Sequence, residues 1–194
     1  MPARGFLVFL KPPPHERIQH LFEVNVFGVM NVTKAILPHF RQQNSAVIVN
    51  VSSSTGLFTI PLLAVYSASK YALEGFSESL AFELSSQNIK VKLIEPGMVD
   101  TNFDNATMEN YAADPSQAAY SDYFEKMIKL FSAKDAGEGK VTAEEVAAVI
   151  YHAATDDADT LRYLIGDDVK AMMDSRRSLS DQEYIDTMRK RFTI

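Results

Sequence analysis

Three short runs of apolar, often β-branched residues are the feature that most restricts the fold. They are SAVIVNVSS, IKVKLIEPG and LRYLIG, at residues 45–53, 89–97 and 161–166. Each run is short and bounded by polar or turn-forming residues, which favours strands buried on both faces. Segments with helical periodicity precede and separate the runs, so each strand is joined to the next by a helical crossover. This order predicts an α/β fold with a parallel sheet and helices on both of its faces.

The helical segments carry recognisable end signals. The first covers residues 15–43, and Pro38 is expected to kink or end it. The second covers residues 64–86. Thr142 and Glu145 predict a capping box at the start of a third helix. The charged tail, residues 168–194, is predicted to be helical as well.

The composition restricts the class of protein and its partners. A chain of 194 residues predicts one domain, residues 1–194. A net charge of −6 argues against a nucleic-acid partner, and no apolar run is long enough to span a membrane. The chain has no cysteine, and its four histidines show no metal-ligand spacing. We therefore predict a cytoplasmic protein without a metal site.

Tyr66 and Lys70 form the pair with the clearest chemical meaning. They lie four residues apart in VYSASKYALEGF, so they share one face of a helix. A nearby cation favours the ionised form of a phenol, and lowering its pKa by about three units requires roughly 4 kcal/mol. The alternative interpretation is a half-buried tyrosine with a solvated lysine one turn away. The pair alone does not decide between them.

Four separated motifs together resemble the short-chain dehydrogenase/reductase family. The first is YSASK, with Tyr66 and Lys70. IVNVSSSTG places Ser53 thirteen residues before the tyrosine, and FEVNVFGVMNVTKAILP places Asn25 forty-one residues before it. EPGMVDTNF matches the Pro-Gly-x-Val-x-Thr signature of the family. The resemblance extends from about His15 onward.

The resemblance implies an NAD(P)-dependent oxidoreductase that acts on an alcohol or ketone. Tyr66 would be the general acid or base, and Ser53 would hydrogen-bond the substrate oxygen, with Ser52 and Ser54 as alternatives. Lys70 would lower the pKa of the tyrosine and bind the nicotinamide ribose. Asn25 would sit in a local helix distortion and hold a water that relays protons to Lys70. The cofactor-binding set implied by the resemblance is Tyr66, Lys70, Pro96, Gly97, Val99 and Thr101.

The aromatic and methionine-rich segment 102–134 falls where this family keeps its substrate-covering elements. It suggests an apolar small-molecule substrate, although core packing of short helices explains the same residues. The small residues beside Tyr66 allow another helix to approach closely. Since members of the family commonly dimerise through this helix and the one bearing Asn25, we expect a homo-oligomer.

The part of the family fold that would hold the rest of NADP or NAD is absent from this sequence. Such a site begins with a strand, a glycine-rich turn and a helix, yet Gly5 is the only glycine before Gly28. We therefore expect the C-terminal part of a Rossmann-type doubly wound sheet without its first βα units, that is, an N-terminally truncated member. The strand after Ala46 would become an exposed edge. The alternative function is a cofactor-free relative acting as a dimerising interaction protein.

Overall fold

The structure is a computed structural model that describes the chain from residue 15 to residue 192 with gaps. The described residues are 15–101, 122–123, 125–127, 129–130 and 140–192. The strands within them are β1 Ala46–Val51, β2 Ile89–Pro96 and β3 Arg162–Ile165. The longer helices within them are α1 His15–Phe22, α2 Gly28–Gln43, α3 Ala64–Leu84, α4 Ala143–Thr155, α5 Asp167–Ser178 and α6 Asp181–Phe192. Most of the predicted substrate-covering segment, 102–134, lies outside the described residues.

The strands form one parallel sheet with the spatial order β1-β2-β3. Ala46 pairs with Ile89 and Leu93 pairs with Arg162. The central strand β2 is buried along nearly its whole length, as its apolar, β-branched residues require. The structure therefore confirms the predicted α/β class and parallel sheet. In the described part of the chain, the outer edge of β1 pairs with no further strand.

Helices cover both faces of the sheet. On one face, Leu80 and Leu84 of α3 pack against Ile89 and Val91 of β2. On the other face, Ala153 of α4 packs with Ile94 of β2 and Ile165 of β3. This two-sided packing covers the sheet and fixes the position of α3 relative to the carboxyl ends of the strands.

The first helical segment continues without a break through a π-helical turn. The turn, Glu23–Phe27, joins α1 to α2 with helical backbone dihedrals on both sides. The expectation that Pro38 could end the segment is wrong, because α2 continues to Gln43. Proline removes one backbone N–H, so the carbonyl of Lys34 loses its helical partner. Both residues are exposed, and water can satisfy that carbonyl.

The predicted capping box and the predicted helical tail are confirmed. The Thr142 side chain accepts from the Glu145 backbone N–H, and the Glu145 carboxylate accepts from the Thr142 backbone N–H, which completes the capping box. The charged tail forms α5 and α6. No helix in the described ranges is both long and apolar enough to cross a membrane.

Several large apolar side chains remain exposed on the outer surface of the helices. Val32 of α2 is 69% exposed, and Phe82 of α3 is 71% exposed. Val51, at the end of the edge strand, is 47% exposed. Among the described residues, the exposed apolar side chains therefore lie on the outer helices and at the end of β1.

Candidate active site

The predicted site residues occupy the carboxyl ends of β1 and β2 and the first turns of α3. Ser53 follows β1 and caps a short 3₁₀ turn, Ser54–Gly56. Tyr66 and Lys70 lie in the first two turns of α3. Pro96 ends β2. In parallel α/β sheets, this end is where ligands bind.

Ser53 and Tyr66 are in direct contact. The Tyr66 hydroxyl is hydrogen-bonded to the Ser53 side chain. The Ser53 Oγ also accepts from the backbone N–H and the hydroxyl of Thr55, at 3.3 Å and 3.0 Å. Both Ser53 and Tyr66 are buried. Of the three consecutive serines, the structure therefore brings Ser53 to the tyrosine, while the Ser52 hydroxyl lies against Glu74.

Lys70 lies behind Tyr66 and is held by the end of β1. Its Nζ donates to the Val51 carbonyl at 3.1 Å and lies 5.7 Å from the centroid of the Tyr66 ring. Burial lowers the pKa of Lys70 to about 8, and the nearby Glu74 charge opposes this.

The pKa of Tyr66 departs from the sequence expectation. We expected Lys70 to lower it, but burial raises it, and the hydrogen bond to Ser53 only partly offsets the burial. The reason is that removing a phenolate from water is unfavourable, while the ammonium is directed to a backbone carbonyl. The phenol is consequently protonated at neutral pH.

Asn25 reaches α3 through a serine. It lies buried in the π-helical turn, so the expected local distortion is present. Its Nδ2 donates to the Ser69 Oγ at 3.1 Å, and the Ser69 hydroxyl donates to the Tyr66 carbonyl at 2.7 Å. The asparagine side chain therefore supports the first turn of α3.

A cavity of about 360 Å³ opens beside the Ser53–Tyr66 contact. Six predicted site residues line it, and they are Ser53, Tyr66, Pro96, Gly97, Val99 and Thr101. Lys70 and Asn25 do not line it. The turn after β2 is tight, because a Cβ at Gly97 would lie 2.6 Å from the Val169 Cγ2. Its position is fixed by the Gly97 N–H, which donates to the Ile165 carbonyl at 3.0 Å.

A buried charged cluster that the sequence motifs do not predict lies behind this cavity. Glu74 of α3 and Glu95 of β2 are 5% and 0% exposed, and both lie close to Arg162 of β3. Burial raises the pKa of both carboxyls, and the adjacent Glu74 charge raises that of Glu95 further, to about 9. A signal was present in the sequence, because Glu95 interrupts an apolar strand and Glu74 follows Lys70 by one helical turn.

The residues at the cavity fit one end of a nicotinamide cofactor. A tight Pro-Gly turn, two small polar side chains and a phenol next to a buried lysine supply hydrogen-bonding groups at the scale of a nicotinamide and its ribose. No glycine-rich strand–turn–helix for the pyrophosphate occurs in this sequence. The described residues also contain no cluster of His, Asp or Glu able to hold a metal ion.

Comparison with known proteins identifies the family. The sequence profile of the short chain dehydrogenase family matches residues 8–112, more than half of the chain. An uncharacterized oxidoreductase of Schizosaccharomyces pombe is 38% identical over 196 aligned residues, which cover 98% of this chain and 79% of the relative.

Solved structures show the same fold. A short-chain dehydrogenase from Streptomyces avermitilis superposes with a TM-score of 0.69 at 26% identity, covering 98% of this chain and 65% of that one. A short chain dehydrogenase from Burkholderia cenocepacia in complex with NADP also superposes with a TM-score of 0.69, at 21% identity, covering 99% and 65%. The chain thus spans just under two thirds of these solved proteins. By its sequence profile, its relatives and its parallel sheet, the chain belongs to the short chain dehydrogenase family of oxidoreductases.

Proposed function

We propose that this protein interconverts an alcohol and a ketone with NAD or NADP, using Tyr66 as the general acid or base. The observation that carries the proposal is the hydrogen bond between Tyr66 and Ser53 at the wall of a cavity that also contains the Pro96–Gly97 turn. A proton donor and a second hydroxyl then face one point, where a carbonyl oxygen can accept from both.

The state of each side chain favours carbonyl reduction at neutral pH. The phenol of Tyr66 is protonated and transfers its proton to the carbonyl oxygen as the C–O bond becomes single. Ser53 donates a hydrogen bond to the same oxygen. The phenolate that remains is short-lived, because burial disfavours it, and solvent returns its proton. When bound, a nicotinamide supplies the hydride for the carbonyl carbon in this direction and accepts one in the reverse direction.

The remaining predicted residues fall into two groups. Pro96, Gly97, Val99 and Thr101 line the cavity and are proposed to hold the nicotinamide end. Lys70 and Asn25 lie behind the wall, where Lys70 is proposed to reach the ribose and Asn25 to support the turn bearing Tyr66 through Ser69.

The cavity wall supports an apolar substrate. Its lining is mostly aliphatic and aromatic, with Phe58, Leu63 and Met172 among its members. Asp168 and Arg191 are the charged residues among those described at the wall. Most of its hydroxyls lie in the turn after β1, at residues 52–55, and on Tyr66. A ketone or alcohol with an apolar body would place its oxygen there and its body against the aliphatic side.

The test is turnover of the purified chain with NADH and NADPH against a panel of aliphatic and aromatic ketones. Tyr66→Phe removes the proton donor and should lower kcat about 10²- to 10⁴-fold, because positioned proton transfer contributes that much. Tyr71→Phe is the matched control, since this tyrosine lies on the same helix, is 43% exposed and does not line the cavity. Equal activity of Tyr66→Phe and the parent, or no turnover with any pair of ketone and cofactor, would overturn the proposal.

A further inference from the structure

Two buried carboxyl groups beside the site have no part in the reaction proposed above. The Arg162 Nε lies 3.4 Å from the Glu74 Oε2 and 3.3 Å from the Glu95 Oε1. The Nη2 of the same arginine donates to the Glu78 Oε2 at 2.6 Å. One cation therefore faces three carboxyl groups, and two of these are inaccessible to water.

The other charged groups near Glu74 and Glu95 do not compensate the remaining negative charge of the two carboxyls. Those on neighbouring elements are Lys70, Tyr71 and Glu78 of α3, Arg162 of β3 and Arg177 of α5. Lys70 attracts Glu74, but its Nζ is bound to the Val51 carbonyl. Arg177 attracts Glu95 from a distance greater than that of an ion pair.

Both carboxyl groups approach the same nitrogen of Arg162, yet none of their four buried oxygens has a hydrogen-bond donor among the described residues. Two ionised carboxylates there would lie buried near each other with no donors to replace water. Burying two adjacent negative charges is unfavourable, and binding one proton removes both the repulsion and part of the desolvation penalty. The upward pKa shifts of both groups agree with this reading.

The pair joins the three segments that carry the candidate site. Glu74 lies one turn beyond Lys70, and its Cγ is 2.9 Å from the position of a Cβ at Gly56, in the turn that follows Ser53. Its carboxyl also contacts the Ser52 hydroxyl. Glu95 directly precedes Pro96 and Gly97. A proton held between the two carboxyls would therefore tie α3 and the serine turn to the end of β2.

We propose that Glu74 and Glu95 share one proton and, together with Arg162, act as positioning residues that hold the Ser53 turn, the start of α3 and the Pro96–Gly97 turn in register. The link to catalysis rests on the proposed function, whereas the shared proton does not. The first test is therefore independent of turnover.

Infrared spectroscopy detects a protonated carboxylic acid directly by its C=O stretching band. At pH 7 the parent should show such a band, since ordinary Asp and Glu are ionised at this pH. Glu95→Gln and Glu74→Gln should each lose it. Glu78→Gln should retain it, because Glu78 is partly exposed and lies outside the pair. Absence of the band in the parent at pH 7 overturns the proposal even if the variants fail to fold.

Stability across pH gives a second, separate readout. A carboxyl whose pKa is raised by folding binds its proton more tightly in the folded state. Its contribution is therefore complete at low pH and is lost as pH rises from the ordinary glutamate range toward about 9. Glu95→Gln removes this loss, so its urea midpoint should rise relative to the parent between pH 5 and pH 9. Parallel midpoints for Glu95→Gln and the parent would overturn the proposal.

The pKa of Lys70, measured by NMR of ¹³C-labelled lysine, gives a readout at the site that a general loss of stability would not change. Glu74→Gln removes the carboxyl that opposes the effect of burial, so the pKa of Lys70 should fall further below about 8. Glu95→Gln leaves Glu74 as the remaining acid, now ionised, and should raise the pKa of Lys70. Equal shifts in both variants would show that the two carboxyls do not share a proton. If turnover fails but the band and these shifts appear, the proposed function is wrong and the proton-sharing pair stands.

Discussion

Strand β2 contributes a charged side chain to each of two buried clusters, three residues apart, and the buried charges are compensated in different ways. We call the first the Lys92 cluster, formed by Lys92, Asp156 and Tyr163. We call the second the Glu95 cluster, formed by Glu74, Glu95 and Arg162. The side chains of Lys92 and Glu95 are both inaccessible to water. Their partners differ in charge balance and in contact with solvent.

The Lys92 cluster is neutral and close to the surface. The Lys92 ammonium is bound by the Asp156 carboxylate and donates to the Asp156 carbonyl at 3.2 Å. The Tyr163 hydroxyl donates to the Asp156 Oδ2 at 2.8 Å. Asp156 is 14% exposed, so water can also solvate its carboxylate. The charges of Lys92 and Asp156 compensate each other, so the Asp156 carboxylate does not have to bind a proton.

The Glu95 cluster carries an excess of acid and has less access to water. Its two carboxyls share Arg162, which is also occupied by Glu78. The clusters differ both in access to water and in the number of cations within reach, and both differences act on the protonation of a carboxyl. Each buried charge that no cation compensates has to be neutralised by a proton or left at a large energetic penalty.

The two clusters consequently respond to pH in opposite directions. The bond to Lys92 lowers the pKa of Asp156, so its contribution is present above the ordinary aspartate range and is lost as pH falls. Asp156 in turn raises the pKa of Lys92 against the effect of burial. The Lys92 cluster should thus persist through neutral and mildly alkaline pH, where the Glu95 cluster loses its proton.

The largest effect should come from removing the cation of the Glu95 cluster. Arg162→Met leaves two buried carboxyls without their arginine, and breaking a buried pair in this way costs about 3 to 5 kcal/mol of unfolding free energy. The loss should be greatest near pH 9 and smaller near pH 5, where both carboxyls can be protonated. Urea unfolding at the two pH values measures it.

Arg189→Met is the control for that substitution. Arg189 is 70% exposed on its side chain and pairs with Asp186 on the same helix, so its replacement should change stability by less than about 0.5 kcal/mol. A loss for Arg162→Met that is the same at pH 5 and pH 9 would contradict the account of the Glu95 cluster.

Removing the cation of the Lys92 cluster should have a smaller effect. Lys92→Met keeps the buried aliphatic stem and loses the ammonium, which should cost about 1 to 2 kcal/mol. Asp156 remains partly hydrated and does not become an isolated buried charge. The difference from the parent should vanish as pH falls below the ordinary aspartate range. If the stability difference between Lys92→Met and the parent, measured by urea unfolding, increased as pH fell, the Lys92–Asp156 charge pair would not be its cause.

Much of the fold and of the site follows from short-range patterns in the sequence. The strands were predictable because their β-branched runs are continuous, and the capping box because Thr142 and Glu145 are three residues apart. Tyr66 and Lys70 share a helix face for the same local reason. The position of Ser53 beside Tyr66 required the spacing of the family motifs, since nothing local distinguishes it from Ser52 and Ser54.

The features that sequence reasoning missed depend on long-range contacts. Arg162 meets Glu78 across 84 residues of sequence, and the sheet order alone brings it to Glu95. The partner of Asn25 was also unpredictable, because Ser69 lies 44 residues away on a different helix. The direction of the Tyr66 pKa shift is also not predictable, since the sequence contains the nearby cation but not the depth of burial.

The smallest effect should come from the Tyr163 hydroxyl, and it measures how much the Lys92 cluster depends on its neutral member. Tyr163→Phe removes one hydrogen bond to Asp156 and keeps the ring, so the loss should be about 0.5 kcal/mol. In the double variant with Lys92→Met the two losses should not add, because both side chains bind the same carboxylate. Urea unfolding of the two single variants and the double variant provides the cycle. Tyr163→Phe alone could destabilise the protein as much as Arg162→Met only if Asp156 were as poorly solvated as Glu95. That result would contradict the contrast between a neutral, hydrated Lys92 cluster and an acid-rich, dry Glu95 cluster.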